Sequence, residues 1–139
     1  MRKLFALLCL CSVVLACDTR RGSSTAPFAA ELGTYALRTV SGKPLPVPLE
    51  RLASGTVREL IADTIVLTSG GNAREIFYTR NFSTAGGDTS ISSIAAAGKY
   101  TITRDSLRLP ADFPYLFGRL SGGKISLVDS RGDIWVFTR

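Results

Sequence analysis

Turn chemistry recurs along this chain at intervals that suit strands and leave little room for helices. Ser41-Gly42-Lys43-Pro44, Ser69-Gly70-Gly71-Asn72, Ala85-Gly86-Gly87-Asp88, Gly122-Gly123 and Ser130-Arg131-Gly132-Asp133 punctuate it. Gly, Asn, Asp and Pro occupy turn conformations at low cost, each for its own reason. The stretches between them are β-branched or aromatic, and many alternate. In Gly33 to Val40, Tyr35 and Leu37 fall on one face, Thr34 and Arg38 on the other. The same texture marks residues 74–83, 98–103, 116–121, 124–129 and 134–138. No amphipathic helical pattern of ten residues intervenes. Turns at about 8–12-residue spacing predict an all-β chain. The predicted fold is a small antiparallel meander β-barrel of about eight strands, with a β-sandwich as the alternative. Closure is favoured because an open sheet of this size leaves unpaired edges.

Three stretches are less decided. Pro44, Pro46 and Pro48 make residues 44–49 an extended crossing segment. Thr56-Val57-Arg58-Glu59 fits a helical capping box, and Val57, Leu60 and Ile61 have helical spacing. Residues 63–69 are strongly β, so residues 56–69 read better as a strand pair with its turn near Ala62-Asp63. Residues 90–97 are a loop or a frayed strand. Residues 111–114 are a loop carrying an aromatic, Phe113, expected to be buried.

The front of the chain has a different character. Arg2 and Lys3 precede an uncharged apolar run of about 13 residues, from Leu4 to Ala16. A membrane-spanning helix needs roughly 20. A positive start, a short apolar run and a small residue make a secretory signal. Val14-Leu15-Ala16-Cys17 resembles the lipobox of bacterial lipoproteins. That resemblance implies diacylation of the Cys17 thiol and cleavage before it; Cys9 and Cys11 follow leucines and fit less well. An ordinary signal peptide cut after Ala16 is the alternative. The expected organisation is a signal peptide at 1–16, a lipidated Cys17 with a flexible tether through 32, and one β-barrel domain at 33–139. As a flexible coil the tether reaches roughly 20 Å. The implied place is the cell envelope, anchored to the inner or outer membrane and facing the periplasm or the exterior. Asp18, just after the cysteine, matches the inner-membrane retention signal of enterobacterial lipoproteins. Arg20 and Arg21 stand where an anionic leaflet would attract them.

Composition excludes several chemistries. There is no histidine, and the third cysteine is the lipid site, so His-dependent triads and zinc or copper sites are not expected. Neither a cofactor nor a metal is predicted, and no disulfide is available to the mature domain. Two of the 17 basic residues and none of the 11 acidic ones precede Cys17, which lowers the net charge from +6 to +4. The remaining cations are scattered, which argues against a nucleic-acid stripe. Arg131-Gly132-Asp133 is read as hairpin-turn chemistry.

Gly33-Thr34-Tyr35 opens the first strand and Arg139 follows the last. This resembles a reduced lipocalin pattern, in which a Gly-x-Trp packs near the barrel floor against a late Arg. Tyr35 stands in the Trp position, and the chain's single Trp, Trp135, lies in the final strand. With the Gly42-Lys43-Pro44-Leu45-Pro46 turn, the layout resembles small bacterial lipoproteins of poorly known function described as lipocalin-like.

Two sets of residues are candidates for a site. Glu59, Asp63 and Glu75 are carboxylates in or beside strands. Pointing inward, Glu59 and Glu75 would form an acid/base pair or hold a cationic ligand; pointing outward, they would pair with Arg58, Arg74 or Arg80. Tyr35, Phe77, Tyr78, Phe82, Tyr100 and Trp135 either line an apolar pocket or fill the core. The expected function is a non-enzymatic, monomeric envelope barrel that binds a small apolar ligand. The alternative is a protein-binding module, such as an inhibitor of an exported hydrolase.

Overall fold

The computed structural model describes residues 31–139. The expected signal segment, Cys17 and the expected tether as far as residue 30 lie outside them. Eleven strands follow: β1 (Gly33–Val40), β2 (Lys43–Pro44), β3 (Val47–Arg51), β4 (Thr56–Thr68), β5 (Asn72–Ser83), β6 (Ser90–Lys99), β7 (Thr101–Thr103), β8 (Ser106–Arg108), β9 (Tyr115–Ser121), β10 (Lys124–Asp129) and β11 (Ile134–Thr138). All pair antiparallel, and among the described residues there is no α-helix. The all-β fold is therefore as the turn spacing predicts.

Nine strands follow one path, β6-β5-β4-β1-β11-β10-β9-β8-β7, which curls into a half-barrel. The simple meander is modified, because β1 lies mid-path and pairs both β4 and β11. First and last strands thus meet, with Leu37 opposite Phe137 and Val40 opposite Trp135. The two ends of the path are consecutive in the chain, with Tyr100 alone between β6 and β7. The proline-rich segment adds the short β2 to β1 and β3 to the upper part of β4, at Val47–Leu60 and Arg51–Val57.

Residues 56–68 are one strand and not a strand pair. β4 stays in ladder with β5 from Thr56–Ser83 to Thr68–Asn72, and the register shifts between Leu60 and Ala62. The extra residue at this β-bulge reverses which parity faces inward. Leu60 lies inside above the bulge, and Asp63, Ile65 and Leu67 below it. Residues 90–97 also form regular strand, part of the ten consecutive pairs that hold Ser90–Lys99 to β5.

The lower interior is solid. Tyr35, Leu60, Ile65, Leu67, Leu107, Ile125, Leu127 and Phe137 are fully buried. Two glycines set this packing. A Cβ on Gly118 would sit 2.3 Å from Leu127 Cδ2, so the bare backbone gives the leucine its place. A Cβ on Gly98 would lie 2.6 Å from Pro110 Cγ, so that proline presses directly on β6. Phe113 is buried as expected. At the closed end the Tyr35 hydroxyl donates to Glu31 O at 2.7 Å, and the Arg139 guanidinium donates to Leu32 O at 2.9 Å.

Candidate functional site

The filled core gives way to an open cleft where β1, β3, β5 and the β10–β11 turn end. The cleft has a volume of about 510 Å³, within the range of small-molecule sites, roughly 300–1,000 Å³. Val40, Val47, Leu49 and Pro114 form apolar walls, and Phe77 and Trp135 form the floor. Those two rings meet tilted, with centroids 6.3 Å apart. Glu50, Arg58, Asp129, Arg131 and Asp133 bring charge of both signs to the lining.

The turn beside the cleft is fixed by one side chain. Asp129 Oδ1 accepts from the backbone N–H of Arg131 and of Asp133, at 2.9 Å each, and its Oδ2 accepts from Trp135 Nε1 at 3.2 Å. Ser41 Oγ donates to Asp133 Oδ1 at 2.7 Å, which ties the turn to the end of β1. Arg131-Gly132-Asp133 is thus a structured hairpin turn. It holds the indole that floors the cleft.

Beneath the floor lies a buried acid pair. Ala73, Glu75, Phe77 and Thr79 share the inner face of β5, and Asp63 points inward from β4 opposite Phe77. Asp63 and Glu75 are 2% and 3% exposed. Tyr115 reaches them across the interior from β9, its hydroxyl 2.9 Å from Asp63 Oδ2 and 2.8 Å from Glu75 Oε1. A hydroxyl has one proton to donate. It stands as donor within reach of both carboxyls and can give that proton to only one of them at a time. Burial is the main cause that holds the Asp63 carboxyl up at about 8, with the Glu75 carboxyl beside it adding to the effect. Burial likewise raises Glu75. The Tyr115 hydroxyl is pushed well above its ordinary value, by burial first and by the two carboxyls next. Asp63 Oδ1 is buried without a hydrogen-bond partner. Among the described residues the groups acting on the pair are Tyr115, the backbone of Thr64 and the two carboxyls themselves; Trp135 and Phe137 pack on the Tyr115 ring, and Arg80 is bound to Glu59.

The carboxylate candidates therefore separate. Glu59 pairs outward with Arg80 at 2.6 Å. Asp63 and Glu75 are neither solvent-facing nor arginine-paired, and it is these two, not Glu59 and Glu75, that form an inward pair. Their signal is alternation. Asp63 shares parity with Ile65 and Leu67, and Glu75 with Ala73 and Phe77, so each carboxylate lies on an apolar face. Tyr115 lies just outside the predicted strand and has no such signal. Among the aromatics, Tyr35, Tyr100 and Trp135 are in the core, and Phe77 is half-buried against it. Tyr78 is not in the core; it points outward, 37% exposed. Phe82 is half-buried on the outer face, its ring 5.5 Å from the Arg80 guanidinium carbon.

Sealed under Phe77 and Trp135, the acid pair does not line the cleft. Burial favours the protonated form of these carboxyls, and the cleft offers two aromatic rings with a charged surround. Among the described residues no group of three or more metal-ligating side chains comes together, and no helix is long and apolar enough to cross a membrane. No family model, no curated protein and no solved structure matches the chain.

Proposed function

We propose that the protein is a non-enzymatic binding barrel of the cell envelope, held to a membrane through a lipid on Cys17, that takes a small apolar or amphipathic ligand in its cleft. The observation that carries the reading is the cleft itself: about 510 Å³, floored by Phe77 and Trp135 above an otherwise solid interior. An apolar body would cover the two rings, and a polar end would meet Arg58, Glu50 or Asp133. The sealed position of Asp63 and Glu75 supports a binding role over acid–base chemistry, since neither carboxyl reaches the cleft lining. The lipobox-like Val14-Leu15-Ala16-Cys17 supports the anchor.

Two experiments test the two halves. Organic extracts of protein purified without refolding should contain one small molecule in near-stoichiometric amount, and a repeatedly empty cleft would remove the small-ligand reading. A Cys17→Ala chain should leave the membrane fraction for the soluble one. Its persistence in membranes would remove the anchor.

A further inference from the structure

We propose that two copies of this chain pair through β6, edge to edge and antiparallel about a twofold axis. β6 is bonded to β5 over ten positions, from Asn72–Lys99 to Asn81–Ser90. Its other edge has no strand among the described residues. Below Tyr100 the chain regains a neighbour, as β7 pairs β8, and Pro110 packs on Gly98. The free edge therefore runs over Ser90–Ala97. Exposure follows the same division. Ile91 is 66% and Ile94 68% exposed, although Ile94 lies opposite Phe77 on the inner face.

Natural sheets protect such an edge with lysines, prolines, bulges or shortness. Ser90-Ile91-Ser92-Ser93-Ile94-Ala95-Ala96-Ala97 has none of these, and its ladder with β5 is unbulged. The occupant it fits best is itself. A twofold axis normal to the sheet, at Ser93, sets Ile91 opposite Ala95 of the second copy and Ile94 opposite its Ser92. Large residues then meet small ones, and inner and outer faces stay matched. Electrostatics allow it, because residues 89–97 carry no charge and no like charges meet directly across the pairing. The segment is also free of proline, so every amide along the edge retains its N–H.

Sedimentation of the purified full-length chain in mild detergent should show a dimer at tens of micromolar. Ile91→Lys/Ile94→Lys, at two exposed positions, should give a monomer that keeps the β circular-dichroism spectrum and a cooperative melt, with a melting temperature that no longer depends on protein concentration. Ser93→Cys should give a disulfide-linked dimer on mild oxidation, well above the level seen with Ser130→Cys. A monomeric native chain would overturn the proposal. So would a dimer that survives the double lysine change and gains no Ser93→Cys cross-link, since it would use another face. A monomer that binds an added uncharged extended peptide would reassign the edge to peptide capture.

Discussion

Tyr115 stands edge-on to Trp135, ring centroids 5.6 Å apart and planes at 69°. One side chain thus links two features that are separate in sequence: the indole that floors the cleft and the acid pair buried below it. The Tyr115 ring packs on Trp135 and Phe137, while its hydroxyl serves Asp63 and Glu75.

Tyr115→Phe keeps the ring and removes the hydroxyl. Two buried carboxyls then lose their shared partner, and an unsatisfied buried polar group costs about 1–3 kcal/mol. Chemical denaturation should show a loss of about 2–3 kcal/mol with little change in the native Trp135 emission. An unchanged midpoint would mean that the hydroxyl does not support the pair.

The pair also sets the direction of pH dependence. Asp63 has its folded value raised to about 8 from an ordinary 3.8. Its stabilising contribution is complete below the unfolded value and is lost as pH rises towards the folded one. Between about pH 4 and pH 8 the unfolded chain releases a proton that the folded chain keeps, so stability falls as pH rises. Glu75, also raised, acts in the same direction. Melting temperature should therefore fall as pH increases across this window. Asp63→Asn should flatten the fall and add on the order of 2 kcal/mol at pH 7.5, because it removes a carboxyl that folding keeps protonated. A melting temperature that rises from pH 4 to pH 8 would contradict the assignment.

Gly118→Ala probes the packing below the cleft. The new methyl would lie 2.3 Å from Leu127 Cδ2, in a fully buried layer. Overpacking of this kind costs about 1–3 kcal/mol, and thermal melting should register it. Gly42→Ala has open space around its Cβ but a positive φ of 79°. Its cost should come from backbone strain alone, about 1 kcal/mol.

Alternation and turn residues made much of the fold legible. β1, β10 and β11 coincide with the runs read from the sequence, because each alternates cleanly between glycine-containing turns. β4 was obscured by its bulge at Ile61, where the inward parity passes from Leu60 to Asp63 and the alternation breaks. β6 was obscured because Ser90-Ile91-Ser92-Ser93-Ile94 has no regular period. Its strand conformation comes from the ladder with β5 and from the 3.0 Å bond between Thr79 Oγ1 and Ser92 Oγ. The cleft was half legible. Trp135 and Phe77 are conspicuous, but Val47 and Leu49 join them through the pairing of β3 with β4, which no local pattern encodes. The acid pair needed a third residue, Tyr115, separated from Asp63 by 52 positions.

Trp135, the single tryptophan of the chain, makes the cleft directly measurable. The most direct test is a fluorescence titration of the purified protein with anilinonaphthalene sulfonate, following energy transfer from Trp135. Val47→Arg, which places a charge in the apolar wall, is the comparison. The account predicts saturable one-to-one binding that Val47→Arg weakens at least tenfold. Non-saturating transfer, or binding that Val47→Arg leaves unchanged, would contradict it.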